Sequence, residues 1–489
     1  MVNPLHEELK RFLARDDIET IKKTVDDDPW RLAYHVMPPI GWLNDPNGVM
    51  QYNGIYHLYY QYSPHAPEGG LKYWGHATSE DLVHFVDQGV ALYPDQPYDL
   101  HGVYSGTAFV EDDQIHYFYT GNVKQLGNHD YITSGREQNT IHAVSHDGGK
   151  TIEKVECVIP ASEYPKQFSN HIRDPKVFKL GQTYYMILGT RDLKGRGQVI
   201  TYHSTDLSNW TYHGVFAGPL EGLGYMWECP DYFTLDGKGI LIVSPQGLEA
   251  KEHEFQNIYQ AGFLIGELDQ GAIQFEALNR FVELDRGFDF YAPQTFLDQQ
   301  GRRILWAWMG LPSDDPKISN PTIERGWQHA MTLPRELTIE DGRLMQGPLP
   351  EYQKLRGQAF EQFVSLKGAY QNEQMKGEVF EMIVEIDQVG DQFKIHLRQD
   401  TLLQYDSKKQ LFSLILAESG YGREKRSIEL KSLNHLQIFS DYSSLEVFIN
   451  YGEYVMTTRV YPDSQHDRIC FTGEANITVK KWDLKNASL

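Results

Sequence analysis

The sequence predicts an all-β protein: a five-bladed β-propeller over residues 31–350, a linker over 351–375 and a C-terminal β-sandwich over 376–489, behind an N-terminal helical extension of residues 1–30. Three observations predict it. Five segments open on a polar or acidic motif, cross a strand, turn on Gly or Asp and return through an aromatic-rich strand. Their starts lie 60, 69, 54 and 65 residues apart, a period of several strands per unit, as in a propeller. A second echo, ATSEDLVHF (77–85), AVSHDGGKT (143–151) and YHSTDLSNW (202–210), puts Ser79, Ser145 and Ser204 at separations of 66 and 59. Beyond residue 376 the pattern changes to short strands with period-two alternation.

The elements follow in chain order. Over residues 5–30, Leu9, Phe12, Leu13, Ile18, Ile21 and Val25 fall on one helical stripe that Asp28-Pro29 ends. The blades begin at DPNGVMQYNGIYHLYYQY (Asp45), SGTAFVEDDQIHYFYTG (Ser105), DPKVFKLGQTYYMILG (Asp174), ECPDYFTLDGKGILIVSP (Glu228) and PQTFLDQQGRRILWAWMG (Pro293). KLRGQAFEQFVSLKGAYQNEQ reads as the connector. EMIVEI, KIHLRQ, LQIFSDYSSLEVFIN, EYVMTTRVY and NITVKKW read as sandwich strands. Within LEVFIN, Leu445, Val447 and Ile449 face one way and Glu446 the other, and Asn450-Tyr451-Gly452 supplies a hairpin turn.

Composition narrows the function. A chain of 489 residues exceeds one compact core. Its 45 basic and 67 acidic side chains leave a net charge of −22, which argues against nucleic acid or an anionic membrane as partner. Aromatic residues, at 13%, suit both strands and the flat faces of sugar rings. The N-terminal stretch is charged from His6 onward and lacks the apolar core of a signal peptide, and no apolar run spans a bilayer, so a cytoplasmic protein is expected, either a monomer or a homodimer, which the sequence does not decide. Cys157, Cys229 and Cys470 lack metal-ligand spacing. His76 with His84, and His142 with His146, read as ordinary polar surface, so neither metal nor cofactor is expected.

The first strand of each blade lines a propeller's channel. Asp45, Asp174 and Glu228, at three blade starts, would therefore meet at one mouth, among Trp42, Trp74, Trp227, Trp308 and Tyr291. Paired carboxylates beside aromatic walls suit glycoside hydrolysis, which needs an ionised nucleophile and a protonated acid. Met226, Trp227, Cys229 and Pro230 predict an apolar setting that keeps Glu228 neutral. Asn44, Asn47 and nearby backbone N–H groups predict an ionised Asp45, and Arg173 an ionised Asp174.

HVMPPIGWLNDPNG, YHLYYQY, YWGHATSEDLVHF, YSGTA, IRDPK, MWECPD, FDFYAPQTF and ILWAWMG, in this order and spacing, resemble glycoside hydrolase family thirty-two, the β-fructofuranosidases. The PPIGWLNDPNG lead-in, the WECPD block and the GFDFYAPQTF run bring the likeness nearest to its bacterial sucrose-6-phosphate-hydrolysing branch. The resemblance implies retaining hydrolysis of a β-fructofuranosyl bond in a sugar or sugar phosphate, with Asp45 as nucleophile, Glu228 as acid/base and Asp174 as transition-state stabiliser. It further implies substrate contacts at Trp42, Leu43, Asn44, Gln61, Trp74, Tyr104, Ser105, Arg173, Tyr291 and Trp308. IRDP stands where FRDP is usual, YSGTA for FSGSA, and Phe85 where Trp is frequent, departures that bear on subsite shape. A fructosyltransferase or fructan hydrolase would use the same scaffold; a non-catalytic sugar-binding propeller is the alternative of another class. A substrate phosphate would need a cation on the leaving-group side; Lys72, beside Trp74, and Arg196 are candidates, but nothing in the sequence selects them and each reads first as a solvated surface charge.

Overall fold

The computed structural model describes residues 4–15, 17–312, 317–463 and 466–487, so residues 1–3 and 16 of the expected extension lie outside the described residues. Five antiparallel sheets stand around one axis. Their first strands, Gly41–Tyr52, Val103–Glu111, Phe168–Leu180, Met226–Leu235 and Tyr291–Leu297, touch one another at the centre. Each space between neighbouring blades has its own apolar filling. Phe118, Ile172 and Leu188 pack between the second and third blades, and Val199, Trp227 and Leu241 between the third and fourth. Residues 327–331 close the ring: Trp327–Gln328 pairs in parallel with Gly41 and Trp42 of the first blade, and Ala330–Met331 with the fifth.

The serine echo has a physical cause. In each of the first three blades, the Ser at the end of the third strand bonds the Asp two residues on. That Asp caps the turn: Asp81 accepts from the backbone N–H of Val83 and His84, Asp147 from Lys150 and Thr151, and Asp206 from Ser208 and Asn209. These bonds hold all three aspartates below the usual carboxylate range.

Each of the five first strands slips register against its neighbour near the mouth: at Leu43/Pro46, Val103/Gly106, Arg173 opposite Gly189, Glu228/Asp231 and Tyr291/Gln294. An extra residue at such a bulge bends the strand and re-aims its side chains. Asp174, Cys229 and Ala292 take positive φ there, at 63°, 48° and 49°. The mouth is thus built by one repeated backbone defect.

Several expectations need correction. The N-terminal extension is two helices, α1 (Pro4–Leu13) and α2 (Ile18–Asp26). Ile18 and Val25 pack with Trp327 and Met309, whereas Leu13 of the expected stripe is exposed. Residues 356–371 are no linker: Arg356–Gln371 is a strand paired along its length with Ile469–Leu484. Most of its side chains are exposed, with Val364 and Leu366 buried, so alternation was too weak to see. Phe380–Leu397 is likewise one long strand. Its first part pairs with His435–Asp441, its last part with Thr401–Asp406, and a register break between them lets it serve both layers of the sandwich.

The two domains share a polar seam. Leu445, Val447 and Ile449 lie in the sandwich core as expected, but the opposite face of that strand meets the propeller. Glu446, fully buried, accepts from Arg335 Nη2 at 2.9 Å, and its Oε1 lies 3.1 Å from His35 Nε2. The GFDFY stretch crosses the seam. Gly287 passes so close that a Cβ there would lie 2.0 Å from the Thr457 carbonyl oxygen. Phe288 enters the sandwich core, Asp289 pairs with Arg423, and Tyr291 reaches the mouth.

Candidate active site

The repeat does bring the three acids together. Asp45 Oδ2 accepts from Ser105 Oγ at 2.5 Å and Oδ1 from Asn44 Nδ2 at 3.1 Å. Asn44 Nδ2 also donates to Gln61 Oε1 at 2.5 Å, and Gln61 Nε2 to Ser105 Oγ at 2.9 Å. Trp42 Nε1 donates to Asn44 Oδ1 at 2.7 Å. A closed loop of hydrogen bonds therefore fixes the Asp45 carboxylate, each member from a blade's inner strands. Asn47 acts on the backbone instead: its Nδ2 donates to the Asp45 carbonyl, and its Oδ1 accepts from Gly106 N–H.

Asp174 is buried. Its N–H donates to Thr120 Oγ1 at 2.9 Å and its Oδ2 accepts from Cys229 N–H at 2.9 Å. Cys229 Sγ lies 3.6 Å from that oxygen and 3.9 Å from Asp45 Oδ2, so the thiol stands between two of the acids. Glu228 is the best-supplied of the three. Oε1 accepts from Arg173 Nε at 3.0 Å and Nη2 at 2.6 Å; Oε2 accepts from Tyr291 OH and Gln246 Nε2, each at 2.6 Å.

These surroundings reverse the expected electrostatics. Burial pushes Glu228 up, but the Arg173 charge and the bonds from Tyr291, Arg173 and Gln246 outweigh it and hold the carboxyl below its ordinary range. The apolar neighbours in sequence mislead because Trp227 points away: it is fully buried between blades, with its Nε1 bonded to the Leu223 carbonyl. Burial raises Asp45 above its ordinary value despite Ser105 and Asn44. It also raises Asp174, to about 7, despite Arg173, with Glu228 and Asp45 adding repulsion. Glu228 repels both other acids and Asp45 repels Asp174, so a proton on one of them alters the charge felt by its neighbours.

Among the residues expected to touch substrate, Trp42, Asn44, Gln61, Ser105, Arg173 and Tyr291 join the acids' hydrogen-bond network. Tyr104 stands at its edge, half-buried, and Trp308 packs on Tyr291 and Trp42. Two do not fit. Leu43 points to the opposite face of its strand and is buried between the first and fifth blades with Tyr60 and Trp306. Trp74 has no exposed surface; its Nε1 donates to the Tyr104 carbonyl, which makes it a support beneath the mouth. Cys229, Gln246 and Thr120 were missed. Cys229 adjoins Glu228 in MWECPD, but only the bulge makes neighbours of opposite faces both serve the site. Gln246 is reached only through the pairing of Glu228's strand with the next one.

Of the histidines expected on the surface, His84 and His146 are exposed, but His76 and His142 are buried, each against another histidine. His57 Nδ1 lies 3.0 Å from His76 Nε2 in the first blade, and His116 Nδ1 lies 3.0 Å from His142 Nε2 in the second. Burial depresses His57 and His142 to about 4 and His76 to about 3. Among the described residues no cluster of three or more His, Cys, Asp or Glu could hold a metal ion, and no helix is long and apolar enough to cross a membrane.

Comparison with known proteins identifies the family. Residues 35–348 match the glycosyl hydrolases family 32 N-terminal domain and residues 351–486 the family 32 C-terminal domain. A sucrose-6-phosphate hydrolase of Bacillus subtilis is 38% identical over 98% of this chain and 99% of its own length. A raffinose invertase of Escherichia coli is 37% identical over 89% of this chain and 90% of its own. The structure of a sucrose-6-phosphate hydrolase from Lactobacillus gasseri superposes with a TM-score of 0.86, at 31% identity over 96% of each chain. A Bombyx mori family 32 β-fructofuranosidase mutant in complex with sucrose gives 0.84, at 31% identity over 99% of each chain. The chain belongs to glycosyl hydrolase family 32 and is a β-fructofuranosidase.

Proposed function

We propose that the protein hydrolyses the β-fructofuranosyl bond of sucrose, sucrose 6-phosphate or both, with retention at the fructosyl anomeric carbon. The observation that carries this reading is the meeting of Asp45, Asp174 and Glu228 from three blades. Asp45 Oδ attacks the anomeric carbon as the bond to the glucosyl oxygen breaks, and Glu228 passes its proton to that oxygen. Water then attacks the fructosyl–Asp45 ester, giving its proton back to Glu228 and freeing the Asp45 carboxylate. Asp174 holds fructose hydroxyls, most strongly as positive charge develops on the ring. With Asp45 raised and Glu228 lowered in the free enzyme, the reactive form carries the shared proton on Glu228. Arg173 and Tyr291 are the groups that must yield their bonds to substrate oxygens for that form to build up.

Support comes from the sucrose bound by the Bombyx mori relative and from the names of the bacterial relatives. The test is fructose release from both sugars by the purified protein. Asp45→Ala and Glu228→Ala should each lower kcat on the order of 10⁴-fold while the far-ultraviolet circular dichroism stays that of the parent. Near-parental turnover by either variant would remove that residue from its role.

A further inference from the structure

Most charges around the mouth are answered: Arg173 by Glu228, and Arg196, offered from the sequence as a phosphate cation, by Asp192 at 2.7 Å. Three cations are not. Among the described residues, Lys72, Arg136 and Arg191 have no carboxylate in ion-pair range, in a chain whose net charge is −22. Lys72 Nζ donates to Ser63 Oγ at 3.2 Å and lies 4.6 Å from the Trp42 ring centroid. Arg136 Nε donates to Asn122 Oδ1 at 2.9 Å, and its guanidinium carbon lies 5.6 Å from the Tyr104 ring centroid. Arg191 lies 4.8 Å from the ring of Tyr225, three residues before Glu228.

Tyr104 ties the first two together. The Lys72 carbonyl accepts from Val103 N–H at 2.9 Å. A Cβ on Gly102 would lie 2.7 Å from the Tyr104 ring and 3.5 Å from Lys72 Cβ. Lys72 and Arg136 thus both stand beside one tyrosine at the edge of the site. Both are held out of water: burial pulls Lys72 down to about 7 although the Asp45 charge opposes it, and burial with the Arg173 charge lowers Arg136. His171, set among Arg173, Arg136 and Arg191, is pushed by burial and their charges to about 2. Two buried nitrogens near this group, Gln138 Nε2 and His171 Nδ1, have no hydrogen-bond partner; Gln138 Oε1 already accepts from Arg173 Nη1. An anion is the ligand that relieves such an arrangement.

Its place relative to the acids names the anion. Glu228 protonates the leaving oxygen, so the glucosyl group departs on the Glu228 side, and Arg136 is close enough for its charge to act on Glu228. We propose that Arg136 and Lys72, beside Tyr104, bind the phosphate of phosphorylated sucrose, with Arg191 adding to the positive field beyond them. This rests on the β-fructofuranosidase reading above. A guanidinium offers paired donors to two phosphate oxygens and an ammonium a third.

The experiment measures kcat/KM for sucrose 6-phosphate and for sucrose in the parent protein and in Arg136→Gln, Arg136→Lys, Lys72→Gln and Arg191→Gln. The ratio of the two constants should fall about tenfold or more for Arg136→Gln and for Lys72→Gln, the range for losing a charged hydrogen bond. It should fall less for Arg191→Gln, and Arg136→Lys should recover part of it. The fall should sit mainly in KM for the phosphorylated sugar. Inorganic phosphate should inhibit sucrose hydrolysis by the parent and lose that effect in Arg136→Gln; inhibition that persists undiminished would put the anion elsewhere. Equal losses on both sugars, or an unchanged ratio in every variant, would overturn the site. A parent ratio near one would overturn it while leaving the hydrolase reading intact. Release of fructose from neither sugar would instead sink the hydrolase reading.

Discussion

The mouth and the seam between the domains both take carboxylates out of water, and they differ in how completely those charges are answered. At the seam, Asp289 receives Arg423 Nε and Nη2 at 2.7 Å each and Arg459 N–H at 2.8 Å. Glu446 receives Arg335, lies within bonding distance of His35 and accepts from Leu333 N–H, and is held below its ordinary range despite burial. Asp285, which burial keeps raised, still has Arg335, Thr457 and Gly287 as donors. At the mouth only Glu228 is served so fully. Asp45 and Asp174 stay raised because burial outweighs few donors. A buried acid with every lone pair filled is fastened in place; one left short can take a proton or a substrate hydroxyl.

That difference can be broken at either end. The largest stability effect belongs to the seam. Arg423→Met leaves Asp289 buried without its cation and should cost about 3–5 kcal/mol in urea unfolding, whereas Asp45→Ala, which removes an under-supplied charge, should leave the melting temperature equal or higher. Equal losses in the two variants would erase the distinction.

A smaller effect sharpens the mouth. The Tyr291 hydroxyl donates to Glu228 and lowers it. Tyr291→Phe should therefore raise the Glu228 pKa and move the alkaline limb of the kcat/KM profile to higher pH, since the acid must be protonated to act. A limb that moves to lower pH would contradict Glu228 as the acid.

The smallest concerns His35. Burial disfavours its charged ring, yet its bonds to Asp441 and Glu446 win and raise its pKa. Its share of stability is thus full below the unfolded value of about 6.5 and is lost as pH rises through the folded value. Glu446, being lowered, contributes above its unfolded value and loses this as pH falls through the folded one. Melting curves should show the seam strongest between about 4.5 and 6.5, and His35→Gln should flatten the decline above that window.

Tyr291 links the two regions. It lies two residues after Asp289, so the sandwich, through Arg423, helps fix the chain that brings a hydroxyl to Glu228. Nothing in FDFYAPQTF alone separates the seam residue from the mouth residue.

Spacing and residue type determined the blade count, the closing sandwich and the three acids at blade starts. A repeat of strands has a fixed length per turn, so position within it survives in the sequence. The strand Arg356–Gln371 escaped because an edge strand with exposed side chains carries little alternation. Tertiary structure alone decided which neighbours matter. The bulges turn Glu228 toward Arg173 and away from Trp227 and set Cys229 between Asp45 and Asp174, while Leu43 and Trp74 stand behind the site. Burial and charge act through space, and chain neighbours at a bulge face different surroundings. The sequence by itself therefore located the acids, and only the fold decided how each is held.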